Sequence, residues 1–187
     1  MSTTVKAPTQ ELIDALYGIP EQGKAEIIHG EIVRMSPTGG KPGRVRGKIY
    51  IQLDAYERQS GFGYAFPDNV GFLVDLPDRN SFSPDAAFYT GELAEGDFLQ
   101  GAPIFAVEVR SKNDYGRQAE QLIRAKIADY LRAGTLVVWD VDALRQQTIR
   151  VYRANDPDHP TVYRRGDLAE AEPALPGWRV VVDEIFE

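Results

Sequence analysis

The sequence contains no cysteine in 187 residues, which excludes both a disulfide framework and a thiolate metal site. Histidine is nearly absent too. His29 and His159 both fall in predicted turns, far apart in the pattern, and read as surface residues rather than a zinc pair. No apolar run approaches the roughly 20 residues that a membrane span requires, so no membrane partner is expected. Residues 1–10 lack the basic start and apolar core of a secretory signal, and together with the missing cysteines this points to a reducing cytoplasm. Positive charge is in deficit. The net charge of −7 argues against nucleic-acid binding through bulk charge while leaving room for a local basic groove. There is no Gly-x-Ser-x-Gly elbow. Gly39-Gly40-Lys41-Pro42-Gly43 precedes a predicted helix, but its spacing is wrong for a phosphate loop and no Ser or Thr follows the lysine.

What remains is an ordinary globular composition, 43% hydrophobic and 26% charged, in a chain long enough for one domain with a sizeable core. No repeat, low-complexity tract or linker divides it, so one α/β domain with a mixed sheet is expected over 1–187. An N-terminal helix and hairpin are expected at 9–35, a core at about 43–142 and C-terminal strands at 147–185. Thr9 is a candidate N-cap for a short helix over 9–17 that Gly18 and Pro20 end. The stretch from Ala25 to Met35 reads as a hairpin broken at His29-Gly30. Gly43 to Ser60 carries Val45, Ile49, Leu53 and Tyr56 at helical spacing and closes on Gly61.

Strands are predicted at 64–66, 70–76 and 83–90. Residues 103–110 alternate, with Phe105, Val107 and Val109 on one face and Ile104, Ala106, Glu108 and Arg110 on the other. A helix over 113–133 follows, with Ala119, Leu122, Ile123, Lys126 and Tyr130 on its apolar face and Gly134 as its stop. The apolar strand 135–141 comes next. Strand, helix and strand of this length predict a right-handed unit with parallel strands. Strands at 148–152 and 161–163 are expected around a turn at 155–158, and 177–182 is a last strand.

Three charges converge on this framework. Asp85 begins a strand after Pro84, a natural place for an exposed or half-exposed carboxylate; the plainer alternative is a turn acid. Glu108 stands near the end of an otherwise apolar central strand, where an unpaired charge costs several kcal/mol. Its plainer alternative is a structural ion pair with Arg110 or Lys126. Lys126 lies on the apolar face of the next helix, either snorkelling to water or reaching the Glu108 carboxylate. Two carboxylates on adjacent strand ends with one lysine can hold Mg²⁺ through oxygen ligands, activate a water and stabilise the charge growing on a phosphate. Lys41, Arg44, Arg46 and Lys48 form the densest basic patch, either a nucleic-acid contact or an ordinary solvated helix end.

These residues carry a resemblance. Ser83-Pro84-Asp85, the strand end Glu108-Val109-Arg110-Ser111, and Lys126, Tyr130 and Ala133-Gly134 ahead of a strand with Trp139 resemble the small putative restriction endonucleases (Uma-type) of the PD-(D/E)XK nuclease superfamily. The hairpin Glu26-Ile27-Ile28-His29-Gly30-Glu31 followed by Met35-Ser36-Pro37 is similar to that family's N-terminal signature. The resemblance covers roughly Glu26 to Asp142. It implies a restriction-endonuclease-like core of helix, three-stranded meander, helix and parallel strand. It also implies a Mg²⁺-dependent endonuclease acting on DNA, with Mn²⁺ as a substitute ion. Asp85 and Glu108 match its metal-binding acids, and Lys126 matches a catalytic lysine moved from strand to helix. Glu26, in preference to Glu31, matches an assisting acid. The usual lysine position holds Arg110, a poor group for orienting a water. A histidine common near the start of the first long helix is missing from Gly43-Arg44-Val45-Arg46. A symmetric homodimer would let such an enzyme cut both strands. The second reading is a catalytically weak or inactive module of the same fold that binds nucleic acid or protein, its charges forming a buried salt-bridge cluster.

Overall fold

Phe105-Ala106-Val107-Glu108-Val109 offers apolar side chains to both of its faces, which only a mid-sheet strand can bury, and it lies in mid-sheet. The structure, a computed structural model, describes residues 10–19, 23–93 and 95–187. In chain order the elements begin with α1 (Gln10–Tyr17), β1 (Lys24–Ile28), β2 (Glu31–Met35), α2 (Gly40–Ser60) and β3 (Tyr64–Phe66). The short strands β4 (Phe72–Leu73) and β5 (Ser81–Phe82) come next, followed by β6 (Ala86–Tyr89), β7 (Leu99–Gln100) and β8 (Phe105–Val109). Then come α3 (Arg117–Arg132), β9 (Val137–Asp142), β10 (Thr148–Arg153), β11 (Asp156–Tyr163), β12 (Leu168–Glu170), β13 (Arg179–Val181) and α4 (Val182–Phe186).

The main sheet has the order β11-β10-β9-β8-β6-β3. β3, β6 and β8 form an antiparallel meander, and α3 carries the chain over to β9, which runs parallel to β8. This is the mixed α/β, restriction-endonuclease-like arrangement expected. The two long helices cover opposite faces. Val45, Ile49 and Leu53 of α2 pack with Phe105, Val107, Val109 and Trp139, and Trp178 and Ile185 from the C-terminal segment close that side. Ile127 and Tyr130 of α3 pack with Ala106, Val138, Phe72 and Phe82 on the other. Glu108 shares the α3 face with Ala106 because strand side chains alternate.

The β1–β2 hairpin is a separate two-stranded sheet turned by His29 (φ 52°) and Gly30 (φ 75°), the two left-handed residues a tight hairpin needs. It is stitched to the start of β5 and the residue before it: Ile27 N–H donates to Ser81 Oγ at 2.7 Å, and Asn80 N–H to the Ile27 carbonyl at 3.0 Å.

Several expectations shift. Asp85 is not half-exposed: it is 3% exposed and precedes β6, which starts one residue later. The strand expected over 70–76 shortens to two residues, because the Val74 and Leu76 N–H groups turn to the Asn80 and Arg79 carbonyls. Helix α3 starts at Arg117 rather than Asn113, since Asp114 ties back to Ser111 in a turn and Gly116 (φ 105°) follows. Leu122 is 66% exposed, because the buried face of α3 centres on Ile123, Ile127 and Tyr130 and leaves it on the solvent edge. Residues 156–158 belong to β11, and a register shift at Val151/Arg153 brings Arg153 opposite Asp156. Thr9 and Pro20 lie outside the described residues. No helix among the described residues is long and apolar enough to cross a membrane.

Candidate active site

Seven parts of the chain deliver charge to the edge of the meander. Asp85 sits where the β6–β8 ladder ends: its N–H bonds the Val107 carbonyl at 2.9 Å, and its Oδ2 accepts the Val109 N–H at 2.7 Å. The pairing of Ala86 with Val107 places Asp85 across from Glu108. Lys126 Nζ, from α3, lies 2.8 Å from Glu108 Oε1 and 3.0 Å from Glu26 Oε1. Tyr130, one turn further along, donates its hydroxyl to Glu108 Oε1 at 2.7 Å, and its ring is stacked on Phe82 at 3.9 Å. Glu26 comes from β1 with no exposure, accepting from Arg79 at 2.5 Å and from the Ser83 N–H at 2.8 Å. Arg79 also reaches Asp129 at 2.9 Å. Lys24, two residues before Glu26 and on the same strand face, lies 2.6 Å from Asp85 and 2.7 Å from Asp68. Arg46 of α2 bridges the same two acids at 3.2 and 2.7 Å.

The acids differ electrostatically. Burial pushes the Glu108 carboxyl up, and Asp85 and Glu26 add to the shift, so that Lys126 and Lys24 do not offset it. Burial also pushes on Glu26, but Lys126, Arg79 and the Ser83 N–H outweigh it and hold that carboxyl below the usual range. Asp68 is likewise held down, by Lys24 and Arg46 against its burial. Burial disfavours the charged forms of both lysines, yet Glu108 and Glu26 raise Lys126 above its ordinary value, and Asp85 and Glu108 raise Lys24. Both ammonium groups are therefore charged at neutral pH. The Tyr130 hydroxyl is pushed well up by burial and by Glu108, and stays a donor.

The sequence matches the Uma2 family, described as "Putative restriction endonuclease", over residues 10–183. The chain belongs to that family. A crystal structure of a putative nuclease from Anabaena variabilis ATCC 29413 has a similar fold, with a TM-score of 0.73, 19% sequence identity, and coverage of 93% of this chain and 96% of that one. At that identity the likeness establishes the fold. No curated protein matches.

Within this Uma2 member the expected residues are brought together: Lys126 touches both Glu108 and Glu26, and Asp85 bonds the residue next to Glu108. Glu31, the other candidate acid, is exposed on β2. Arg110 takes no part in the cluster. It pairs with Asp140 at 2.7 Å through Nε and again through NH2, and with Glu120. His29 and His159 are on the surface, each beside an aspartate. The basic patch divides: Arg46 turns inward to Asp68 and Asp85, while Arg44 stays outside with its Nε on the Glu187 carbonyl.

Restriction-endonuclease-like proteins usually depend on a metal ion, and the donor set here suits a hard one. Asp85 and Glu108 supply carboxylate oxygens from neighbouring strands, and the Lys24 ammonium stands on Asp85 as a cation. Among the described residues no group of three or more His, Cys, Asp or Glu side chains is placed to hold a metal. Mg²⁺ commonly takes only one or two carboxylates from a protein and fills its remaining positions with water and phosphate. The residues fit Mg²⁺ or Mn²⁺ and not zinc.

Lys24, Asp68, Arg79 and Asp129 were not legible in the sequence as site residues. For Lys24 a signal existed: it stands two residues before Glu26, so two opposite charges share one face of a short strand. Asp68 follows β3 in a turn and carried none.

Proposed function

We propose that the chain is a Mg²⁺-dependent endonuclease that hydrolyses DNA phosphodiester bonds, with Mn²⁺ as a substitute. The observation that carries this reading is the meeting of Asp85 and Glu108 across adjacent strands with Lys126 on Glu108. Asp85 and Glu108 would hold the ion, which when bound makes its water more acidic and polarises the phosphoryl oxygen. Lys126, charged and fixed from two sides, orients the attacking water and stabilises negative charge growing on the phosphate. Glu26 positions Lys126, and Arg79 in turn fixes Glu26. The Tyr130 hydroxyl sets the Glu108 carboxylate, and stacking on Phe82 sets the ring. A symmetric homodimer would supply the second site needed to cut both strands.

One observation favours a non-catalytic module binding nucleic acid or protein: each acid of the cluster already has a cation on it. The experiment is a calorimetric titration of Mg²⁺ and Mn²⁺ into wild type and Asp85→Asn, run beside a plasmid-nicking assay. Asparagine keeps an acceptor for the Val109 N–H, and Asp68 keeps Lys24 and Arg46 paired, so folding is expected to survive the change. The nuclease reading expects ion binding and nicking in wild type and neither in Asp85→Asn. A silent titration with intact DNA binding favours the module.

A further inference from the structure

Lys24 stands where the proposed ion is wanted. Its side chain is 13% exposed, and its ammonium is shared between Asp85 Oδ1 at 2.6 Å and Asp68 Oδ1 at 2.7 Å, with Glu108 in electrostatic reach. Arg46 bridges the same two carboxylates through their other oxygens. Each cation thus has one contact on a buried acid and one on a more open acid, since the Asp85 side chain is 3% exposed and that of Asp68 is 34%. A divalent cation at Asp85 Oδ1 and an ammonium on the same oxygen repel at contact distance, in a place where water screens little. Lys24 need not leave the cluster to yield. Its long stem can let go of Asp85 and keep the bond to Asp68, whose Oδ1 also accepts the Asn69 N–H at 2.8 Å and so keeps its place.

We propose that Lys24 and Asp68 form a cation-exchange pair for the Asp85 site: Lys24 occupies Asp85 until a divalent ion arrives, and Asp68 then retains the displaced ammonium beside it. The inference rests on Asp85 being an ion ligand, as read above. It makes Lys24 a positioning residue that opposes ion entry and Asp68 one that assists it. Neither effect follows from the roles of Asp85, Glu108 or Lys126.

The test has two arms, both on the full chain. The first is calorimetric titration of Mn²⁺ into wild type, Lys24→Met, Asp68→Asn and Asp85→Asn. Lys24→Met is expected to bind about tenfold tighter than wild type and Asp68→Asn about tenfold weaker, the order of one charge-assisted hydrogen bond gained or lost on binding. The second arm reads displacement directly, in wild type, by acylating lysines with and without saturating Mn²⁺ and mapping the products by mass spectrometry. Lys24 should become more reactive as it moves to the open acid, and the product map shows whether the change is confined to Lys24. This arm decides the matter should Lys24→Met fail to fold. Binding that appears only in Lys24→Met also supports the pair. Unchanged Lys24 reactivity, or Lys24→Met binding no tighter than wild type while Asp85→Asn abolishes binding, overturns the pair and leaves the ion site standing. No binding in wild type or Lys24→Met overturns both.

Discussion

Replacing Lys126 by methionine keeps most of the stem and removes the one cation shared by Glu26 and Glu108. Glu26 keeps Arg79 at 2.5 Å and the Ser83 N–H at 2.8 Å. Glu108 keeps the Tyr130 hydroxyl at 2.7 Å and the field of Lys24, with Asp85 still pressing on it. Breaking a buried pair from one side costs about 3–5 kcal/mol, because a charge is left without compensation. Glu26 retains its compensation, and Glu108 can relieve its own cost by taking up a proton. The lower end applies, about 3 kcal/mol near neutral pH. At about 2–4 °C per kcal/mol for a chain of this size, Tm falls by roughly 6–12 °C. The sign of the pH dependence follows from Glu108. Its folded value is raised, so stability is gained as pH falls through that value and the gain is complete below the ordinary carboxylate value. The deficit of Lys126→Met is therefore largest near neutrality and shrinks toward about pH 5. Scanning calorimetry of both proteins at the two pH values reads this out. A Tm within about 1 °C of wild type near neutrality, or a deficit that grows on acidification, refutes the reasoning.

Glu108→Gln should move the other way: it spares the Tyr130 contact, leaves Lys126 on Glu26 and removes a disfavoured charge. Its stability near neutrality should match wild type or exceed it by up to about 1 kcal/mol, the gap closing as pH falls and Glu108 protonates, and Mg²⁺ binding should vanish from the titration. A melt well below wild type with unchanged ion binding makes Glu108 and Lys126 a structural salt bridge. For the DNA contact, Arg44 is the residue to remove, because Arg46 faces the acids. Arg44→Ala should weaken binding at low salt and reduce the salt slope by about 0.9 if one phosphate contact is lost, and an unchanged slope takes Arg44 out of the interface.

What the sequence revealed depended on periodicity. Lys126 could be read because Ala119, Ile123 and Tyr130 recur at helical spacing along one face of a long helix and the lysine falls among them. Glu108 could be read because it interrupts an apolar strand, and alternation then assigns it to the face that α3 covers. Asp85 was placed inside a strand that in fact begins one residue after it, and wrongly in depth. The proline before it suggested a loop, whereas the end of the ladder left the Val109 N–H to be satisfied, and the carboxylate is drawn in to accept it. Asp68 and Arg79 sit in turns, where no period constrains direction, and they meet the cluster only through contacts between distant parts of the chain.

Arg110 shows why a departure from a family pattern has to be read in three dimensions. By position it stands where the family resemblance leads one to expect a lysine, and by chemistry an arginine orients a water poorly. Its guanidinium is nevertheless fully engaged elsewhere: Nε and NH2 each lie 2.7 Å from one oxygen of Asp140, and NH1 reaches Glu120 on α3. A lysine has no second donor in that fork geometry and could not replace the pair of bonds that ties the end of β8 to β9. With that charge committed, a cation for Glu108 has to come from another element. Helix α3 follows β8 directly and packs on the face Glu108 shares, so a lysine on its inward side reaches the carboxylate with Tyr130 beside it. The cation on Glu108 thus comes from the helix, and the arginine at the end of β8 holds in register the two strands on which the arrangement depends.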